Sequence, residues 1–109
     1  MINFNHVSSD EPYVRFKKEY DKAVNANQKN IEAISISSYS SILNEVNSRF
    51  VNLKIIEDKN FIFFSNYHSQ KSDEFKNHNQ ISALVFWNNT NIQIRLKCFI
   101  KKTTKLKID

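Results

Sequence analysis

The chain has 109 residues, 40% of them hydrophobic and 25% charged, with nine Phe among its aromatics. That is the size and make-up of one globular domain, and it excludes a disordered segment. There is no Gly and only one Cys, so a glycine-rich phosphate loop, a dinucleotide fingerprint and an intrachain disulfide are all excluded. A net charge of +5 admits a phosphorylated small molecule, a nucleic acid or an anionic surface as partner.

Residues 1–11 read as a polar arm. Ser8-Ser9-Asp10-Glu11 followed by Pro12 marks a helix start, with capping side chains, an acidic first turn and Pro at an early helical position. Tyr13, Phe16, Tyr20, Ala23 and Val24 then recur at helical spacing and predict a helix over 12–25 with one apolar stripe. After a polar connector over 25–30, the alternation of 33–38 predicts a strand, 39–47 a turn region, 48–57 a longer strand, 58–60 a short turn and 61–66 an aromatic-rich strand. Ser69 is placed to cap a short helix over 70–77 with Phe75 facing inward. Residues 81–87 are apolar enough for a central strand, 88–91 make a turn, and 92–102 form the last clear strand, with 106–108 able to add a short one. In that last strand Ile92, Ile94, Leu96, Cys98 and Ile100 share one face, and Gln93, Arg95, Lys97 and Lys101 the other.

In the absence of Gly, turn positions that need positive φ fall to Asn. Asn44, Asn47, Asn60, Asn66, Asn88, Asn89 and Asn91 lie where turns or strand ends are expected. Short strands joined by tight turns, with helices at the flanks, predict a mainly β fold: an antiparallel barrel forming a single domain over 1–109. No apolar run approaches the roughly 20 residues that span a bilayer, and no signal peptide is visible. A cytoplasmic protein with no membrane partner is the default expectation.

The chemistry concentrates in three places. Arg49 begins a strand and can grip a phosphate through two parallel hydrogen bonds. Lys54 sits among Leu53, Ile55 and Ile56, where a cation needs a partner. On a straight strand Arg49 and Lys54 have opposite parity, so either a bulge intervenes or a ligand wraps the strand. The helix start at 70–77 offers unpaired N–H groups near Ser65, Ser69 and Lys71, and a bound phosphate would relieve the cost of Lys at a helix N-terminus. Gln93 presents an amide with both donor and acceptor. His6, His68 and His78 lack ligand spacing, so no metal is expected. Cys98, alternating with Leu96 and Ile100, reads as an inert buried thiol.

Taken together these segments resemble the pyridoxamine 5'-phosphate oxidase family. The resemblance rests on Arg49, Val51 and Lys54 in one strand, Phe64-Ser65-Asn66 ending the next, Ser69 and Lys71 opening a helix, and Gln93 with Arg95 in a later strand. It covers about residues 10–102 and implies an FMN-binding split barrel that dimerises with FMN at the interface. It further implies that Arg49, Ser65 and Lys71 hold the FMN phosphate, with Gln70 beside it. Phe50, Val51, Asn52, Leu53 and Lys54 would run along the flavin ring, Phe64 would adjoin the site, and Gln93 would meet the ring's polar edge.

Lys54 would also lie near the substrate, a phosphorylated B6 vitamer. The family reaction passes hydride from the C4' carbon of that substrate to flavin N5; dioxygen reoxidises the flavin and yields hydrogen peroxide. Asn52 stands where the family has Leu, Phe64 where it has Tyr, Gln70 where it has Arg and Ser72 where Gly is common. The family's C-terminal half, which carries further substrate and flavin residues, is expected to be absent from this chain. A minimal FMN-binding protein or flavin reductase is therefore the alternative to a B6 oxidase. A third reading, a barrel binding single-stranded nucleic acid, is disfavoured; it requires Phe50, Phe64 and Trp87 exposed on one face.

Overall fold

The computed structural model describes residues 1–64 and 79–101. Within them the elements run β1 (Asn3–Asn5), α1 (Glu11–Asn25), β2 (Ala33–Ser40), β3 (Glu45–Glu57), β4 (Asn60–Phe63), β5 (Gln80–Trp87) and β6 (Ile92–Phe99), with a 3-10 turn at Asn88–Thr90. The expected helix over 70–77 and strand over 106–108 lie outside the described residues.

The long strand β3 organises the sheet. Its first part pairs antiparallel with β2, from Ser40↔Glu45 to Ala33↔Asn52. Its last part pairs antiparallel with β4 from Leu53 to Glu57, and there Ile55, Ile56 and Glu57 also pair parallel with β1. β2 continues to β5 and β5 to β6, both antiparallel. One strand thus belongs both to the layer β3-β2-β5-β6 and to the shorter layer β1-β3-β4, which gives the split barrel. The register of β3 against β4 shifts between Leu53 and Ile55, leaving Lys54 as the extra residue of a bulge.

Two expectations need correction here. The sheet is mixed rather than wholly antiparallel, because β1 runs parallel to β3. The stretch read as a polar arm supplies that strand, and Ile2 enters the core at 5% exposure. The alternation of Ile2 and Phe4 is too short for periodicity to register.

The inner face of the four-stranded layer holds the core. α1 has Pro in its first turn and buries Phe16, Glu19, Tyr20 and Ala23, the spacing of one helical face. The Phe16 ring meets Trp87 at 5.5 Å and Phe61 at 5.2 Å, edge-on in both cases, a geometry aromatic quadrupoles favour. Trp87 is 1% exposed and its Nε1 donates to the Ile31 carbonyl at 3.0 Å, so its one polar atom is satisfied. Tyr20 Oη accepts from the Ile2 backbone N–H at 2.9 Å, which ties β1 to the helix.

Asn44 and Asn91 adopt positive φ, as expected, and Asn27 and Asn30 in the connector do so too. Asn60 opens β4, a strand end as expected, whereas Asn47 lies inside β3. The turn region expected over 39–47 shrinks to residues 41–44. Local side chains close it: Tyr39 Oη donates to Asn44 Oδ1 at 2.7 Å, and the Leu43 N–H donates to Ser40 Oγ at 3.1 Å. This is the side-chain substitution for turn hydrogen bonds that Ser and Asn make possible.

Candidate functional site

Strand parity divides the expected site residues between two faces. Arg49, Val51 and Leu53 point inward; Val51 and Leu53 are buried and Arg49 is half-buried with Nη1 withdrawn from solvent. Phe50, Asn52 and Lys54 point outward and are exposed, Phe50 at 76%. The opposite parity of Arg49 and Lys54 therefore holds. The bulge falls at Lys54 itself, too late to turn Arg49 toward the outward set.

Lys54, expected deep in apolar surroundings, is instead exposed. Its charge lies near Glu32, whose carboxyl is held below its ordinary range. The causes are a hydrogen bond from the N-terminal ammonium first, backbone hydrogen bonding next, and then the charges of that ammonium and of Lys54, with burial opposing them. The main chain closes the same corner, where the Leu53 N–H donates to the Glu32 carbonyl at 2.8 Å.

The register lines up the outward side chains across four strands. One row reads Phe50, Ser35, Leu84 and Arg95. The row beside it reads Ser48, Ser37, Ser82 and Lys97, with Ser37 and Ser48 hydroxyls 2.7 Å apart. Flanking pairs are Asn52 with Ala33 and Phe86 with Gln93, and at the far end Val46 with Tyr39 and Gln80 with Phe99. None of these outward positions is Asp or Glu. Gln93 shares the face with Phe50 and Asn52, but β6 lies three strand spacings from β3, about 14 Å along the sheet.

A cleft of about 280 Å³ runs between α1 and β6, lined by Pro12, Arg15, Phe16 and Glu19 on one side and residues 92–95 on the other. Gln93 and Arg95 thus border both the cleft and the outward face. Glu19, its buried carboxylate, is shared by Arg15 at 3.3 Å and Lys22 at 3.8 Å. Phe64, just past β4, is 46% exposed. Ser65, Gln70 and Lys71 lie outside the described residues. Burial pushes the Cys98 thiol up from its ordinary range, in keeping with an inert side chain.

Sequence reasoning placed Arg95 on one face with Gln93 but passed over Leu84 and Phe86 as parts of this face. The run from Ile81 to Trp87 looked central and buried on both sides. In fact Leu84 is 39% and Phe86 53% exposed, while Ile81, Ala83, Val85 and Trp87 are buried. Only cross-strand register could have revealed which half of that run faces out. Trp87, required outside by the nucleic-acid reading, is among the most buried side chains, and that reading loses one of its three rings. Among the described residues no helix is long and apolar enough to cross a membrane.

The donor set of the outward face suits FMN chemically. Two amides could meet a polar ring edge, an exposed phenyl ring could lie against its apolar face, and cations without competing carboxylates could answer a phosphate. Arg49, facing inward, could join the same ligand only around the edge of β3.

No family model matches the chain. It is 29% identical over 106 residues to a pyridoxine/pyridoxamine 5'-phosphate oxidase of Rhodopirellula baltica, covering 95% of this chain and 47% of that protein. Among solved structures it is similar to PhzG of Burkholderia lata in complex with tetrahydrophenazine-1-carboxylic acid, at a TM-score of 0.76 and 25% identity, over 82% of this chain and 44% of that one. A pyridoxamine 5'-phosphate oxidase-related, FMN-binding protein of Nostoc punctiforme shares the fold at a TM-score of 0.73 and 12% identity, over 92% of this chain and 53% of that one. The chain spans about half the length of the relatives it matches.

Proposed function

We propose that the chain is an FMN-dependent oxidoreductase of the pyridoxamine 5'-phosphate oxidase type, working as a homodimer on a small phosphorylated substrate of the B6 type, a reading supported by its similarity to such oxidases and by the shared split-barrel fold. The observation that carries this reading is the outward face itself. Phe50, Asn52 and Gln93, all implied by the family pattern, share one exposed surface whose paired strand positions, among the described residues, include no carboxylate.

On this reading Asn52 and Gln93 orient the ring by its amide-like edge, Phe50 shields it from water, and Lys54 stands near the substrate anion. Arg49, Ser65 and Lys71 hold the phosphate, with Gln70 beside them. FMN, when bound, supplies the two-electron acceptor for hydride from the substrate. The protein's own part is to position both partners and to exclude solvent. With about half the relatives' length matched, a minimal FMN-binding protein or flavin reductase is the second reading, and the two differ in whether a B6 substrate is turned over.

The test is the visible absorption spectrum of the purified protein before and after added FMN and desalting. A retained flavin spectrum that disappears in Arg49→Ala/Lys71→Ala is the expected result. Pyridoxine 5'-phosphate should then bleach the bound flavin under nitrogen. Bleaching by reduced nicotinamide alone would favour the reductase, and a protein that ignores FMN would refute both.

A further inference from the structure

The helix α1 reaches the β5–β6 hairpin through Trp87 and through the turn that follows it. Phe16 and Tyr20 meet the Trp87 ring edge-on. Past the turn the helix stands off, and the cleft of about 280 Å³ lies between its first half and residues 92–95. The turn itself is held by amides. Gln28, just past α1, donates from Nε2 to Asn88 Oδ1 at 2.9 Å and accepts the Asn89 N–H at Oε1 at 2.8 Å. Its Nε2 also donates to the Lys29 carbonyl at 3.0 Å. Turned over, this amide would set its donors against the Asn89 N–H, so one orientation is fixed. Asn89 Nδ2 returns a hydrogen bond to the Ala26 carbonyl at 2.9 Å, one of the acceptors that a helix C-terminus leaves open.

The clasp lies immediately before β6. Asn91, at φ 55°, closes the turn, with its N–H donating to the Asn88 carbonyl at 3.2 Å. Ile92 then pairs with Trp87, and Gln93 with Phe86. Among the described strands β6 has a neighbour on one side only, so its start is held by the β5 ladder and by this clasp. We infer that Gln28 is a positioning residue for Gln93: through Asn88 and Asn89 it sets how far the start of β6 stands from α1, and with it where the Gln93 amide is presented. The inference rests on the reading that Gln93 meets the polar edge of a flavin ring, and it adds a residue from outside that face.

Titration with FMN and with riboflavin (the same ring without phosphate), followed by flavin absorption, tests it in wild type, Gln28→Ala, Gln93→Ala and the double variant. Gln28→Ala should weaken both flavins by the same factor, roughly three- to tenfold, and shift the absorption bands as Gln93→Ala does. In the Gln93→Ala background it should add less than about twofold, since residues acting through one contact are not additive. Asn89→Ala, which cuts the clasp from the other side, should reproduce Gln28→Ala. Asp21→Ala, which removes an exposed ion pair with Lys17 on the same helix, should leave flavin binding unchanged. Unchanged affinity in Gln28→Ala, additive losses in the double variant, or equal weakening by Asp21→Ala would each overturn the inference. Should the wild type bind neither flavin, the flavin reading falls separately, and the ligand-free protein decides the clasp. Its nitrogen-15 spectrum must then show the Gln93 side-chain amide moved by Gln28→Ala and unmoved by Asp21→Ala; any other pattern defeats it.

Discussion

The two faces of the four-stranded layer are built from the same strands to opposite rules. Along β5, Ile81, Ala83, Val85 and Trp87 lie at 8% exposure or less, whereas Leu84 and Phe86 between them stand at 39% and 53%. Inside, apolar side chains meet α1 and close around aromatic rings. Outside, serines, amides, cations and unburied phenyl rings lie in register rows with no carboxylate. The difference teaches that the core is built by one side of the sheet alone, which leaves the other side, on the proposed reading, to recognition. The inner side is needed for the fold to exist, and the outer side is free to be shaped by a ligand or a second copy.

The sharpest way to break that comparison is to truncate one residue from each side. Trp87→Ala removes the centre of the aromatic cluster and a satisfied indole hydrogen bond, and should cost about 3–5 kcal/mol, enough to unfold much of so small a domain. Leu53→Ala, at 2% exposure, should cost about 2–4 kcal/mol. Urea midpoints followed by far-ultraviolet circular dichroism measure both. Phe86→Ser, one residue from Trp87 but on the other face, should change the stability of the isolated chain by no more than about 0.5 kcal/mol. A large loss in Phe86→Ser would mean that the outward face is structural after all.

The smallest effect expected is at the corner where the layers join. Glu32 has a lowered folded pKa because the N-terminal ammonium binds it. Its stabilising contribution is therefore complete above the unfolded carboxylate value and is lost as pH falls through the lowered folded one. Glu32→Gln should lose about 1 kcal/mol or less at neutral pH and show a shallower decline than wild type in acid. Urea midpoints of the two proteins between pH 3 and 7 should converge at the acid end; parallel curves would remove Glu32 from this role.

Much of the fold was legible in the sequence, because most of its strands alternate and its helix shows a stripe. Phe16, Tyr20 and Ala23 were expected inward and are buried, and Asn44 and Asn91 took the left-handed turn positions that no Gly was present to fill. What escaped was long-range. The parallel pairing of Asn3 with Ile55 has no local signature, since it is decided by a strand elsewhere in the chain. The residues of the proposed site could be named from the sequence, but not the surface on which the structure arranges them. Parity alone placed Phe50 and Asn52 opposite Arg49, while the joining of Phe86 to Gln93 and of Leu84 to Arg95 required the register between strands. Lys54 was misjudged because its neighbours are apolar and the bulge that exposes it follows from a change of strand partner.

The shared strand β3 also sets the order in which the chain can be completed as it is made. α1 leaves the ribosome early, yet Trp87, the ring that Phe16 and Tyr20 both meet edge-on, comes late in the chain, and β1 pairs with the end of β3, which also follows later. At translation speeds of about 5–20 residues per second, the aromatic side of the helix waits several seconds without its core. The β2–β3 hairpin, whose contacts are local, is free to form in that interval. Slow synthesis would then expose an amphipathic helix that the finished protein hides, and the yield of folded chain should depend on how well that helix is shielded in the meantime.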